Sequence, residues 1–75
     1  MAERLPRHTA REVLARLRRA GWQEKSRVGS HAQLTHPIRV GKVTVPVHQG
    51  ATLDAFIMKK ILKQAGLTVE EYRRL

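Results

Sequence analysis

Apolar residues recur along this chain with two different periods, and the switches between them outline the fold. Ala10, Val13, Leu14 and Leu17 fall at i, i+3, i+4 and i+7, the stripe of an amphipathic helix, while Arg11, Arg16, Arg18 and Arg19 take the other faces. Thr9 followed by Glu12 is a capping-box pattern that predicts the start of this helix, and Gly21 is placed to end it as the C′ residue. From Trp22 to Val28 the period falls to two. Gln23, Lys25 and Arg27 stand at one parity and Trp22, Glu24, Ser26 and Val28 at the other, so Trp22 reads as core. After the Gly29-Ser30 turn, Ala32 and Leu34 share one face of a second strand, with His31, Gln33 and Thr35 on the other. Pro37 and Gly41 bracket a second turn. Val43, Val45 and Val47 then point inward in a third strand, which Pro46 confines to a sheet edge or ends. From about Leu53 the residues Leu53, Phe56, Ile57, Ile61, Leu62 and Ala65 form a second helical stripe, closed by Gly66. Thr68 with Glu71 repeats the capping box and predicts a short last helix through Tyr72.

The predicted order, α-β-β-β-α plus a short C-terminal helix, specifies a small two-layer α+β domain. It has a three-stranded antiparallel sheet with the helices on its one apolar face. Residues 1–8 contain a proline and no periodicity and are expected to be a flexible N-terminal arm, leaving 9–75 as the domain. By parity the open face of the sheet carries Lys25, Arg27, His31, Gln33, Thr35, Lys42 and Thr44.

Charge gives that face a purpose. Fifteen Lys and Arg against six Asp and Glu make a formal charge of +9 on 75 residues, spread over the chain. Such self-repulsion is usually compensated by a polyanion, nucleic acid first, an acidic protein second and an anionic membrane surface third. A membrane partner is not expected, since there is no transmembrane run and no signal-peptide block. The absence of cysteine excludes disulfides and thiolate zinc sites, and the expected compartment is the cytoplasm. At this size a deep enzyme pocket is not expected.

Three of the four histidines, His31, His36 and His48, lie between Gly29 and His48. His36, five residues after His31, falls on the opposite strand face, and with His48 the three make no recognisable metal-ligand spacing; no metal and no other cofactor is predicted. Taken alone, a histidine after a turn is more often an ordinary surface residue than a catalyst.

The motifs Gly29-Ser30-His31, His36-Pro37, Val43-Thr44-Val45-Pro46-Val47-His48 and Ile61-Leu62-Lys63-Gln64-Ala65-Gly66-Leu67, in this order, resemble the HicA toxins, small ribonucleases of HicAB toxin–antitoxin pairs. The likeness runs from about Thr9 to Tyr72. It implies a fold like the double-stranded-RNA-binding domain, cleavage of mRNA, and neutralisation by a HicB antitoxin. It also implies that His31, the histidine following Gly-Ser, is the catalytic one. Many relatives carry a second histidine next to it, where this chain has Ala32.

RNA cleavage without metal needs a base for the ribose 2′-hydroxyl, positive charge at the phosphorane and an acid for the departing 5′-oxygen. Imidazole, with an ordinary pKa near 6.5, suits the first role. His31 is thus the expected general base. Gly29 would bend the backbone so that His31 stands clear, Ser30 would cap the turn or hold the ring, and His48 would supply acid or phosphate contact, or serve only structure. Lys25, Arg27, Gln33, Lys42 and Thr44 are the expected RNA-binding residues. The rival from another class is a non-catalytic RNA-binding module of the same fold; a third reading is an interaction domain for an acidic protein.

Overall fold

The structure is a computed structural model that describes residues 5–48 and 50–75. Helix α1 (Ala10–Arg19) begins at the predicted box: the Glu12 N–H donates to the Thr9 hydroxyl at 3.3 Å and the Thr9 N–H to the Glu12 carboxylate at 2.9 Å. The Thr9 N–H and the Thr9 hydroxyl, which donates to the same carboxylate at 3.1 Å, favour its ionised form and hold the Glu12 pKa below its ordinary value. The helix ends in a Schellman motif, with the Trp22 N–H on the Leu17 carbonyl at 2.9 Å and the Gly21 N–H on that of Arg18 at 3.0 Å.

Strands β1 (Gln23–Val28), β2 (His31–Thr35) and β3 (Val43–Pro46) pair antiparallel in that order, so β3 is an edge and Pro46 is its last residue, as predicted on both counts. Ala32, Leu34, Val43 and Val45 are fully buried on the face that the helices cover, in one core with Trp22 and with Val13, Leu14 and Leu17 of α1. This is the α+β layout expected, with an open outer sheet face.

Strand β1 departs from simple alternation. Its register steps from Glu24↔Leu34 to Ser26↔Gln33, leaving Lys25 as a bulge, and continues with Arg27↔Ala32 and Val28↔His31. Directly opposed residues share a face, so the bulge inverts the parity after Lys25. Arg27, expected on the open face, lies on the helix side opposite buried Ala32 and is ion-paired to Glu24 at 3.0 Å. The open face of β1 is instead built from Gln23, Ser26 and Val28.

Helix α2 (Ala55–Ala65) starts two residues later than the stripe suggested, because Asp54 caps it by accepting the Ile57 N–H at 2.9 Å. Leu53 packs before the cap. The buried positions of α2 are Met58, Ile61, Leu62 and Ala65, a perfect i, i+3, i+4, i+7 set. Phe56, placed in the stripe by sequence, is two residues from Met58, hence about 200° around the helix, and is 77% exposed. Helix α3 (Val69–Arg73) has the predicted second capping box and buries Tyr72.

The expected arm is tied down at its end: Leu5 packs on the core and the His8 carbonyl accepts the Leu53 N–H at 2.8 Å. Residues 1–4 of that arm lie outside the described residues. His8 Nδ1 is 2.9 Å from the Tyr72 hydroxyl, and the Arg16 guanidinium stands 5.7 Å from the centre of the Tyr72 ring. Burial and the nearby Arg16 charge lower the His8 pKa, while burial pushes that of Tyr72 up to about 12. For His8 the unfolded chain binds the proton more readily. Its contribution to stability is therefore complete above the ordinary value near 6.5, falls as pH drops through 6.5, and levels off below the lowered folded value. Thermal melts from pH 7.5 to 5 should show less acid destabilisation in His8→Gln than in the parent. Tyr72 works in the other sense: its contribution holds below pH 10 and is lost as pH rises towards about 12.

Among the described residues no helix is long and apolar enough to cross a membrane.

Candidate nucleic-acid interface

The β1–β2 connection is two residues long, Gly29-Ser30, with Gly29 at φ +59°. A positive φ at the first central position is the demand of a type II′ hairpin turn, which glycine meets without strain. The Ser30 carbonyl accepts the Val47 N–H, joining the turn to the end of β3. Gly29 and Ser30 thus carry turn geometry, and the turn presents His31 at the start of β2 with its ring exposed on the open face.

His31 opposes Pro46, and Gln33 opposes Thr44, whose hydroxyl donates to the Gln33 Oε1 at 3.2 Å. The outward N–H of Thr44 on the β3 edge donates to Gln64 Oε1 of α2 at 3.0 Å, so the helix flanks that edge. Between them lies a cleft of about 410 Å³ lined by His31, Thr44, Pro46, Ile57, Lys60, Ile61 and Gln64. Chemically it offers an imidazole, a hydroxyl, an amide and an ammonium in one open recess, with an apolar floor from Ile57 and Ile61. Ala32, the neighbour of His31, is buried on the other face of the strand and contributes no polar group to the cleft.

The other predicted residues are dispersed. Lys42 is exposed just before β3. Lys25 lines a separate recess with Arg18, Gly21 and Trp22. Arg27 and His48 line another, with Thr9, Ala10, Arg11, Val47 and Gly50, on the α1 side of the sheet. Of the expected RNA-binding residues, only Thr44 lines the His31 cleft, and Gln33 adjoins it through Thr44. Lys60 and Gln64 were not singled out by sequence; the spacing 57, 60, 61, 64 marks one helical face, but nothing in the chain says that this face meets the β3 edge.

His36 has a structural occupation. Its Nε2–H donates to the Ala20 carbonyl at 3.0 Å, its Nδ1 accepts the Ile38 and Arg39 N–H groups at 3.1 and 3.2 Å, and its ring meets Trp22 edge-on at 5.2 Å. A Cβ on Gly21, where φ is +99°, would sit 2.6 Å from that Nε2. Gly21→Ala therefore combines an unfavourable backbone with a displaced, hydrogen-bonded ring, and is expected to cost about 2–4 kcal/mol. A urea titration of the variant measures it, and His36→Ala should cost less in the Gly21→Ala background than in the parent, because the clash has already displaced the ring.

Among the described residues no group of three or more His, Asp or Glu side chains is placed to hold a metal ion. A search of curated proteins returned no match. The family model described as the HicA toxin of bacterial toxin–antitoxin systems matches residues 10–67. That span runs from the first residue of α1 to the residue after Gly66, and takes in the hairpin that presents His31 and every residue lining its cleft. The chain therefore belongs to the HicA family of toxins of bacterial toxin–antitoxin systems.

Proposed function

We propose that this toxin is an endoribonuclease that cleaves mRNA in the cytoplasm without a metal ion, with His31 as general base. The observation that carries the reading is the position of His31. Its exposed imidazole lines a recess that also holds Thr44, Gln64 and the cation Lys60, in a chain of the HicA toxin family. His31 would take the proton from a ribose 2′-hydroxyl as that oxygen attacks the adjacent phosphorus, the P–O5′ bond breaks, and the departing 5′-oxygen takes a proton from water to become the 5′-hydroxyl. Lys60 would offset the charge that builds on the phosphorane, and Thr44 and Gln64 would hold its oxygens.

Membership of a toxin–antitoxin family implies an antitoxin partner. We take this to be a HicB-like protein that covers the His31 cleft, with the basic surface of α1 available to its acidic residues.

The test is end-group analysis of a defined mRNA after incubation with the protein in EDTA. Fragments ending in 2′,3′-cyclic phosphate and beginning with 5′-hydroxyl are expected. Fragments with 5′-phosphate, or activity that EDTA removes, would overturn the proposal. Intact RNA with salt-sensitive duplex binding would favour the non-catalytic RNA-binding module.

A further inference from the structure

The chain has one tryptophan, one tyrosine and one phenylalanine. Trp22 and Tyr72 are buried in the core, whereas Phe56 is 77% exposed in the first turn of α2. Lys60, which lines the His31 cleft, is its i+4 neighbour on the same helix face, and Lys59 its i+3 neighbour. Lys59, Lys60 and Lys63 are all exposed. A lone aromatic ring set among ammonium groups suits a ligand that has a flat π-face and carries negative charge at short intervals. Single-stranded nucleic acid is that ligand: its bases stack on aromatic side chains whatever their sequence, and its phosphates track a basic groove. A dry protein contact would call for a continuous apolar patch, which lysines on this face interrupt.

The chemistry of the neighbouring cleft asks for the same substrate form. Attack by a 2′-hydroxyl requires it to lie in line with the departing 5′-oxygen. The A-form duplex holds the two far from that alignment, whereas an unpaired linkage can rotate into it. We infer that Phe56 is a stacking platform for an unpaired base flanking the scissile linkage, with Lys59, Lys60 and Lys63 along the adjoining phosphates, so that the site takes single-stranded RNA. The link to cleavage rests on the ribonuclease reading; the binding claim stands apart from it.

The test uses His31→Ala protein, a labelled unstructured oligoribonucleotide, and the duplex that oligonucleotide forms with its complement. Adding Phe56→Ala should weaken single-strand binding about 5-fold or more, the range for loss of one base–aromatic stack, and leave duplex binding and the melting temperature little changed. Phe56→Leu should bind as weakly as the alanine variant, and Phe56→Trp should bind as well as the parent. Equal single-strand affinity in parent and Phe56→Ala, retention of affinity by Phe56→Leu, or a matching loss for the duplex would each overturn the platform. So would a Phe56→Ala defect confined to antitoxin binding. In the His31 protein the two claims separate. Intact RNA together with a Phe56-dependent single-strand affinity removes the ribonuclease and keeps the platform. Cleavage with KM and affinity unmoved by Phe56→Ala does the reverse.

Discussion

Substituting His31 by alanine is expected to slow cleavage of a defined mRNA about 10²- to 10⁴-fold, the usual worth of a positioned general base, without unfolding the protein. The rate loss follows from the proposed role of His31, and the retained fold from its placement. The ring is exposed on the outer face, beyond the sheet whose inward residues Ala32 and Leu34 make the core, so its removal opens no cavity. The turn that presents it is held by Gly29 and by the Ser30–Val47 backbone hydrogen bond, neither of which involves the imidazole. An exposed substitution of this kind shifts stability by about 0.5 kcal/mol or less. Rate and melting temperature should be measured on the same preparation. A variant that cleaves at the parental rate removes His31 from the chemistry, and one that loses activity together with its melting transition assigns the residue to structure. His36→Ala is the matched control. It should lower stability, since that ring satisfies the Ala20 carbonyl and two loop N–H groups at once.

Trp22→Ala is expected to cost about 3–5 kcal/mol, against a total of about 4–11 kcal/mol for a domain of this length. The residue is 1% exposed and among the largest fully buried side chains. It follows the C′ glycine of α1, its N–H closes the Schellman motif on Leu17, and its ring is the surface against which His36 is set. Truncation leaves a cavity between α1, the sheet and the β2–β3 connection, and unseats a histidine whose hydrogen bonds hold that connection. Denaturation followed by far-UV circular dichroism is the right readout, because the variant has no tryptophan fluorescence. Trp22→Phe should recover much of the loss. A Trp22→Ala domain within about 1 kcal/mol of the parent would show that the corner relaxes around the gap.

The parts of the fold legible in the sequence are those with local causes. Both capping boxes, the glycine ends of α1 and α2, the inward valines of β3, the core tryptophan and the edge position forced by Pro46 each depend on residues a few positions apart. All six elements formed where those patterns lie. The residues around His31 were legible in another way, as a constellation of short motifs, and the family model matches a span, residues 10–67, that contains them.

Other features needed the chain to close on itself. A bulge at Lys25 is a property of how β1 meets β2, and it turned Arg27 from the open face to the helix side, leaving that face polar rather than basic. By sequence Phe56 falls in the buried stripe of α2, and the structure buries Met58 in its place. The sheet's apolar face settled the phase, since only the Met58, Ile61, Leu62, Ala65 set buries one continuous surface. His8 and Tyr72 are 64 residues apart and show no mutual signal along the chain. By itself the sequence determined the elements, their order and the inward residues of β2 and β3, because capping, turn chemistry and side-chain period act over a few bonds, and its resemblance to a family marked His31 as the residue to examine. The tertiary structure decided which cations stand beside His31, replacing Lys25 and Arg27 with Lys60, because strand register and helix phase are set by pairing and packing between distant segments.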